Sequence, residues 1–341
     1  MGRLVVVSFR LGGTDGVSIE ATKWIDALRT LGHDVTTLAG SGVADVIIPE
    51  LAIGATTPPS LEALSDALIG ADLVVVENLA SLPLNVAARD VLYQALDQRA
   101  ALFHHHDLAW QREEWRHEAT PRDQDRWFHV TINDVSRREL EARGVNAVTI
   151  RNSFDCDPPL GRRGFARDVL DIASERLVLL PTRAIPRKNV AGALSLAASL
   201  DAVLWLLGPT EDNYEAALAN LLSESTVDVR RGLPEGLTIH DAYAASDLVA
   251  MPSTWEGFGN PVLESVTHRR PLAVNPYPVL EEIRSFGFEF FELDDVDSIL
   301  KFLDSPDEEL FTHNARIARA RFNVAALPQR LAVLLADNGL K

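Results

Sequence analysis

Short, continuous apolar runs recur along the chain, separated by longer stretches in which apolar residues follow a helical spacing. A continuous apolar run is typical of a strand buried on both faces, and the helical spacing is typical of an amphipathic helix. Strands are predicted at residues 4–8, 35–38, 73–77, 101–104, 127–132, 147–150, 176–181, 202–207, 227–229, 247–251 and 271–274. Helices are predicted at residues 17–31, 136–143 and 238–246, after Pro261, from Val279, and at 316–335 with a break near Pro328. Strands that alternate with helices predict an α/β fold with parallel sheets.

The length of 341 residues exceeds what one hydrophobic core usually holds, so two domains are expected. A segment rich in Pro and Gly, residues 157–164, predicts the connection between them. We expect a first domain at residues 1–157, a linker at 158–175, a second domain at 176–322 and a C-terminal helix at 323–341.

The composition is acidic, with 32 basic and 49 acidic residues and a net charge of −17. This charge argues against nucleic acid, and against an anionic membrane surface, as the main partner. The single cysteine, Cys156, excludes an intrachain disulfide and fits a reducing compartment. Because the apolar run at the N-terminus is too short for a signal peptide or a membrane span, we expect a cytoplasmic protein.

The stretch from Met251 to Glu264 carries the most specific pattern in the chain. A buried strand is followed by a turn, by a loop containing Gly257 and Gly259, and by a helix start at Pro261. Glycines let a backbone approach a ligand closely, and the positive end of the helix favours an anion such as a diphosphate. Glu256 should lie just before the helix and Glu264 on its first turn, so that both can face one pocket. An ordinary strand, loop and helix with a surface pair of carboxylates is the alternative.

The pattern Pro252-Ser253-x-x-Glu256-Gly257-Phe258-Gly259-x-Pro261-x-x-Glu264 resembles the signature of family-4 retaining glycosyltransferases, the glycosyl transferases group 1. The resemblance implies a GT-B fold, in which two Rossmann-like domains face a deep cleft and a C-terminal helix crosses back to the first domain. It implies that Glu256 binds the transferred sugar and that Glu264 holds the nucleotide ribose. The loop amides of Gly257, Phe258, Gly259 and Asn260 would approach the sugar and the diphosphate.

A basic loop follows the first predicted strand of the second domain and contains Arg183, Arg187 and Lys188. The resemblance assigns Arg183 and Lys188 to the donor diphosphate, which a guanidinium fork and an ammonium group suit well. Arg187 is expected at the surface, and a solvated basic loop is the alternative for all three. Backbone groups near Leu233 would contact the nucleotide base.

Two groups of polar residues follow predicted strand ends in the first domain. The glycine-rich turn at residues 12–16 includes Gly13 and Asp15, and the resemblance places it near the acceptor or a phosphate; a tight turn alone is the alternative. The spacing of a dinucleotide fingerprint is absent there, so no nicotinamide site is predicted. The resemblance places the remaining acceptor-side residues, Asn78, His105, His106 and Asp107, at the cleft.

A histidine tract, His104-His105-His106, ends the strand predicted at 101–104. Successive strand side chains point to opposite faces, so the three rings are not expected to converge on one metal ion. The resemblance places His106 beside the anomeric carbon of the donor sugar, with His105 as the other candidate. A purely structural histidine is the alternative.

The resemblance, together with these features, implies a retaining enzyme that moves a hexose from a nucleotide diphosphate sugar to a hydroxyl group of a soluble acceptor. Neither a metal nor another cofactor is expected, and neither nucleic acid nor a membrane is expected as a stable partner. A GT-B sugar phosphorylase, a nucleotide-sugar epimerase and a non-catalytic nucleotide-sugar-binding protein are the alternatives. The sequence departs from the family pattern at residues 267–270, where Thr-His-Arg-Arg replaces a small residue and a glycine.

Overall fold

A computed structural model describes residues 1–211 and 213–339. The chain forms two compact units. The N-terminal unit contains Met1–Ser153 and the stretch from Val324 onward, and the C-terminal unit contains Phe154–Asn323. Each unit is built on one parallel sheet with helices, as the alternating pattern predicts.

The strands are β1 (Arg3–Leu11), β2 (Asp34–Gly42), β3 (Val46–Ile47), β4 (Leu73–Glu77), β5 (Ala101–His105), β6 (Trp127–Thr131), β7 (Ala147–Thr149), β8 (Arg176–Leu180), β9 (Ala202–Leu206), β10 (Val229–Arg231), β11 (Leu248–Met251), β12 (Leu272–Val274) and β13 (Phe291–Glu292). The N-terminal sheet has seven strands in the order β3-β2-β1-β4-β5-β6-β7. The C-terminal sheet has six strands in the order β10-β9-β8-β11-β12-β13. Polar loops that follow the central strands therefore gather at the carboxyl edge of each sheet.

The helices are α1 (Gly16–Thr30), α2 (Leu61–Ala67), α3 (Val86–Ala95), α4 (Asp134–Ala142), α5 (Arg163–Val169), α6 (Val190–Ser199), α7 (Glu215–Glu224), α8 (Ile239–Ala245), α9 (Asn260–Thr267), α10 (Pro278–Arg284), α11 (Val296–Asp304), α12 (Glu308–Arg321) and α13 (Leu327–Asp337). Among the described residues, no helix combines the length and the apolar character needed to cross a bilayer.

Both faces of the N-terminal sheet are buried, which explains its continuous apolar strands. Val5 and Val7 pack in one hydrophobic cluster, and Leu4 and Val6 pack in another on the opposite face. The second cluster also contains residues of α1 and α13, so the C-terminal helix completes the core of the N-terminal unit.

Three details differ from the sequence-based expectations. The edge strand β10 begins at Val229 rather than at Val227, because its register is set by pairing with Leu204–Leu206 of β9. The break in the tail lies between α12 and α13, and Pro328 occupies the first turn of α13, where its missing N–H costs nothing. The segment expected as a linker contains α5, which packs against α8 in the C-terminal unit.

A chain of buried polar side chains crosses β5 and β6 on one face of the N-terminal sheet. His105 Nδ1 lies 2.7 Å from Ser81 Oγ, and His105 Nε2 lies 2.9 Å from His129 Nδ1. The two imidazole rings stack on each other and on Phe103. Burial lowers the pKa of His129 to about 4, and it lowers the pKa of His105 well below its usual range. Both rings are therefore neutral in the native protein at neutral pH.

This burial predicts a loss of stability on mild acidification. An unfolded histidine binds its proton near pH 6.5 and folded His129 binds it only near pH 4, so the unfolded state takes up more protons between these values. The free energy of unfolding is therefore highest above about pH 6.5 and decreases as the pH falls. From pH 7 to pH 5 the decrease that His129 alone causes is about 2 kcal/mol. His129→Asn keeps a polar atom near the Nδ1 position and removes the titration. Urea unfolding at the two pH values should show a correspondingly smaller loss in the variant, and an equal loss in both proteins would contradict the assignment.

Candidate active site

The loop between β11 and α9 has a backbone that only glycine accommodates at one position. Gly259 precedes α9 with a φ of +87°, and a Cβ atom at this position would lie 2.3 Å from the hydroxyl of Tyr277. That hydroxyl donates a hydrogen bond of 3.2 Å to the carbonyl of Phe258. The Phe258 ring is buried near Phe154 and Phe322, so only the backbone of Phe258 is available to a ligand. The loop therefore has a fixed shape at the start of α9.

Glu256 is a buried carboxylate held by two cations from a different loop. Its side chain accepts hydrogen bonds from Lys188 Nζ and, at 2.9 Å, from Arg187 Nη1. Burial alone would raise the pKa of Glu256, but Lys188 and Arg187 outweigh it and leave the pKa below its usual range. Arg187 was expected at the surface, and that expectation is wrong. Its side chain is only 28% exposed because it spans to Glu256 and to the carbonyl of Trp255.

Backbone contacts hold these two loops together. Asn189 has a left-handed φ of 51° at the end of the turn Pro186–Lys188, and its side chain caps α6 through the amide of Gly192. The Asn189 side chain also donates to the carbonyl of Pro252 at 3.2 Å. The amide of Thr254 donates to the carbonyl of Arg187 at 2.9 Å. The contact between Lys188 and Glu256 therefore rests on backbone geometry as well as on charge.

Glu264 lies on the second turn of α9, not on its first turn as expected, because α9 begins at Asn260. Its carboxylate accepts a 2.7 Å hydrogen bond from the hydroxyl of the buried Tyr243. The ring of His268 stacks on Tyr243 with centroids 4.4 Å apart, and His240 lies 2.9 Å from His268. These three rings fix the orientation of Glu264.

The remaining predicted donor residues are more exposed. Arg183 follows β8, its side chain is 34% exposed, and it forms an ion pair with Glu211. Leu233 lies in the loop after β10 and is 43% exposed. Every predicted donor residue thus lies in the C-terminal unit, and Lys188 and Glu256 are in direct contact.

In the N-terminal unit, Asn78 fixes the backbone at the end of β5. Asn78 has a φ of 57°, and its Oδ1 accepts hydrogen bonds from the amides of His106 at 3.0 Å and Asp107 at 3.3 Å. The Asp107 side chain pairs with Arg112 at 2.9 Å. The structure therefore brings together Asn78, His106 and Asp107, whereas the His105 side chain is held by Ser81 and His129.

A buried carboxylate, Glu77, lies between two rings of the histidine tract. Its Oε2 is 2.9 Å from His104 Nδ1 and 2.9 Å from His106 Nε2. Burial would raise the pKa of Glu77, but the two histidines lower it to about 2, and the bond to Glu77 raises the pKa of His106 in spite of burial. Glu77 and His106 therefore form a buried ion pair, with the His104 ring stacked on Trp24.

The expectation that the histidine tract cannot converge on one ion is wrong for two of its three members. Residues two apart on a strand share a face, so His104 and His106 both point toward Glu77. The ligand atoms of Glu77, His104 and His106 all lie within 4.8 Å of one another, which is a spacing that could hold a metal ion. The same three groups also satisfy one another by hydrogen bonds and charge.

The glycine-rich turn after β1 contains a helix cap. Asp15 precedes α1 and accepts from the Ser18 amide at 3.2 Å and the Ser18 hydroxyl at 2.7 Å, and Arg10 donates to it at 2.9 Å. A Cβ atom on Gly13 would lie 2.9 Å from the Asp15 carboxylate. These contacts give Gly13 and Asp15 a local structural role, and contact with an acceptor stays a prediction.

Sequence reasoning missed four residues that support the site: Glu77, Arg187, Tyr243 and His268. Glu77 carried a signal, since a carboxylate at the end of a central strand is costly to bury without a partner. Tyr243 and His268 lie on α8 and at the end of α9, and their contact depends on helix packing that a single sequence does not reveal.

Comparisons with known proteins agree with this geometry. Residues 163–300 match the family model described as glycosyl transferases group 1. The mannosylglucosylglycerate synthase of Petrotoga mobilis is 24% identical over 84% of this chain and 86% of that protein. The enzyme of the same name from Thermotoga maritima is 23% identical over 97% of this chain and 99% of that protein.

Among solved structures, HepE of Anabaena in complex with UDP and glucose is similar with a TM-score of 0.78 and 17% identity, over 98% of this chain and 99% of that one. At this identity the likeness shows the fold. The predicted GT-B fold is thereby confirmed, and residues 163–300 of this chain are similar to the glycosyl transferases group 1 family.

Proposed function

We propose that the protein is a retaining hexosyltransferase that moves a hexose from a nucleotide diphosphate sugar to a hydroxyl group of a small soluble acceptor. The observation that carries the proposal is the buried contact of Glu256 with Lys188 and Arg187 beside the N-terminus of α9. A carboxylate that can bind sugar hydroxyls is thereby placed next to cations and helix amides that can bind a diphosphate.

The leaving group gains negative charge as the glycosidic bond to the diphosphate breaks. Lys188, Arg183 and the positive end of α9 would stabilise that charge, and they are already in place before the reaction starts. Glu256 would hold the sugar hydroxyls. Its ion pair with Lys188 favours the charged form of both groups before the donor binds. Glu264, oriented by Tyr243, would bind the ribose.

We assign acceptor binding to the N-terminal unit, with His106 and Asp107 as its candidate residues. The Glu77 carboxylate holds His106 through Nε2 and favours its protonated form. The bond to Glu77 keeps the orientation of the imidazole constant. We do not assign His106 a nucleophilic role.

The comparisons support the finer parts of this proposal. HepE was solved with UDP and glucose, which supports a nucleotide donor of the same kind. The two curated relatives are named for a product that combines two hexoses with glycerate. A small polar acceptor is consistent with that chemistry and with the net charge of −17, which disfavours anionic membranes.

An assay of nucleotide diphosphate sugars with small hydroxylated acceptors, including glycerate glycosides, tests the function. We expect release of the nucleoside diphosphate only when an acceptor is present, and a product whose anomeric configuration by NMR equals that of the donor. The rate should not change when anionic vesicles are added. Product without an acceptor would indicate an epimerase, phosphate-dependent turnover would indicate a phosphorylase, and an inverted product would overturn the retaining mechanism.

The same assay in excess EDTA tests whether fixed cations replace a metal. Turnover should persist, because Lys188, Arg183 and α9 already supply positive charge to the diphosphate. Metal analysis of the purified protein, with His104→Asn as the matched variant, examines the Glu77–His104–His106 cluster directly. Loss of turnover in EDTA together with a metal that His104→Asn releases would contradict metal independence.

Removing the predicted diphosphate ligands should weaken donor binding. Lys188→Ala loses one charge-assisted contact, worth roughly 1.5–3 kcal/mol or about 10- to 150-fold in affinity. Arg183→Ala should have a smaller effect, since its side chain is 34% exposed and shared with Glu211. Calorimetry with the cognate nucleoside diphosphate measures both, and Arg138→Ala, an exposed arginine of the N-terminal unit, controls for net charge. Unchanged affinity in Lys188→Ala and Arg183→Ala would refute the assignment.

The two carboxylates should separate turnover from nucleotide binding. Glu256→Gln should lower turnover while the free nucleoside diphosphate binds as well or better, because Lys188 and Arg187 lose a competing anion. Glu264→Gln should weaken binding of the nucleotide itself, and Tyr243→Phe should do so less strongly because only the positioning hydroxyl is lost. Calorimetry and steady-state kinetics of the three variants give the comparison, and the reverse pattern would exchange the two roles.

A further inference from the structure

A cavity of about 800 Å³ lies within the C-terminal unit, away from the donor loops. Arg176 begins β8, and Asp247 and Pro271 immediately precede β11 and β12, so the cavity opens at the amino ends of these strands. The donor loops follow the carboxyl ends of β8 and β11. With a rise of about 3.3 Å per residue, the two sites are roughly 15 Å apart through the sheet.

The cavity is basic although the chain is strongly acidic. Its lining contains Arg163, Arg167, Arg176, Arg269 and Arg270. The acidic residues of the lining are Glu175, Asp247 and Glu308. Five guanidinium groups face these three carboxylates and Asp304, the partner of Arg176, so one positive charge remains in excess.

Four of the five arginines have evident partners. Arg163 and Arg167 bind Asp247 and the carbonyl groups at the end of α8. Arg176 pairs with Asp304 at 2.7 Å, and Arg269 pairs with Glu308 at 2.7 Å. These contacts stabilise the unit. The fifth guanidinium has no comparable ion pair among the described residues.

Arg270 is the under-compensated group. Its Nη1 donates one long bond of 3.4 Å to the carbonyl of Ser246, and its buried Nε has no hydrogen-bond partner among the described residues. Burial and then the neighbouring Arg163 lower the pKa of Arg270, and Asp247 and Glu308 compensate its charged form only in part. An anion in the cavity would compensate the charge of the Arg270 guanidinium and relieve its repulsion with Arg163.

One wall of the cavity is apolar and partly exposed, formed by Phe302, Leu303 and Phe311. Two of the five lining arginines, Arg269 and Arg270, lie in the segment that departs from the family pattern. Arg269 has a φ of 53°, a conformation that suits glycine better than arginine. Arg269 follows the end of α9 and lies exposed at the rim of the cavity.

We propose that this cavity is a second ligand-binding site, which takes a small phosphate monoester with its phosphate on Arg270 and Arg269 and its carbon skeleton against Phe302 and Phe311. The planar guanidinium fork matches phosphate oxygens, and the apolar wall distinguishes an organic ester from inorganic phosphate. No residue predicted to contact the donor lines the cavity, although His268, which stacks on Tyr243, lies in its wall.

Calorimetry at constant ionic strength, with a hexose phosphate monoester and with inorganic phosphate as probes, tests the site. Wild-type protein should bind the ester saturably and more tightly than inorganic phosphate. Arg270→Ala should weaken the ester at least about ten-fold, and Arg270→Lys should be intermediate because charge remains but the fork is lost. Phe311→Ala should reduce the preference for the ester over inorganic phosphate.

Lys188→Ala is the matched control, because phosphate could also bind the donor loops. It should bind the ester as the wild type does. If Arg270→Ala fails to fold by circular dichroism, Arg269→Glu at the exposed rim gives the same comparison. Absence of ester binding in the wild type, loss of binding in Lys188→Ala, or full binding in the folded arginine variants would each overturn the proposal.

Discussion

The C-terminal unit depends on one constraint: Glu256 is buried and must stay ionised. An unpaired buried carboxylate would cost several kcal/mol or become protonated. Lys188 and Arg187 remove that cost, but only if the turn that carries them stays against the loop after β11. The left-handed Asn189 and Gly259 provide the two backbone conformations that this requires. Charge, turn geometry and loop shape therefore support one another, and a change in any of them would disturb the others.

The N-terminal unit also contains a buried carboxylate whose charge is compensated, in this case by histidines. Glu77 ends a central strand with no exposed surface, and His104 and His106 compensate its charge from the neighbouring strand. The period of two along β5 brings these rings to one face and sends His105 to the other. His105 pairs with His129 instead, and both rings remain neutral. One tract of three histidines thus contains a charged ring beside a carboxylate and a neutral ring in the core.

Local pattern was enough to predict most of the fold. The limits of β4, residues 73–77, agree with its apolar run, since every side chain in it is buried. The edge strand β10 was misplaced, because its register depends on Leu204–Leu206 and not on its own composition. Glu264 lies one residue further into its helix than expected, because the helix starts at Asn260 and not at the proline.

The residues of the candidate site could be predicted where they are close together in sequence. They could not be predicted where the contact joins residues that are distant in sequence. The motif that ends at Glu264 is contiguous, so its residue types indicated a ligand directly. Arg187 lies far from Glu256 in sequence, and only the folded loops show that this cation belongs to the buried pair. For the same reason the contact of Tyr243 with Glu264 could not be inferred, since it joins two helices.

Because the protein is acidic, binding of an anionic ligand depends on the buried cations. A net charge of −17 repels an anionic ligand at long range, but salt screens charges more than about 8 Å apart at physiological ionic strength. Inside the loops, Lys188 is almost fully buried and acts at short range in a low-dielectric environment, where screening is weak. Anion binding should therefore be confined to places where the fold concentrates cations. The basic residues beside Glu256 and the arginines around Arg270 are two such places, on opposite edges of the same sheet.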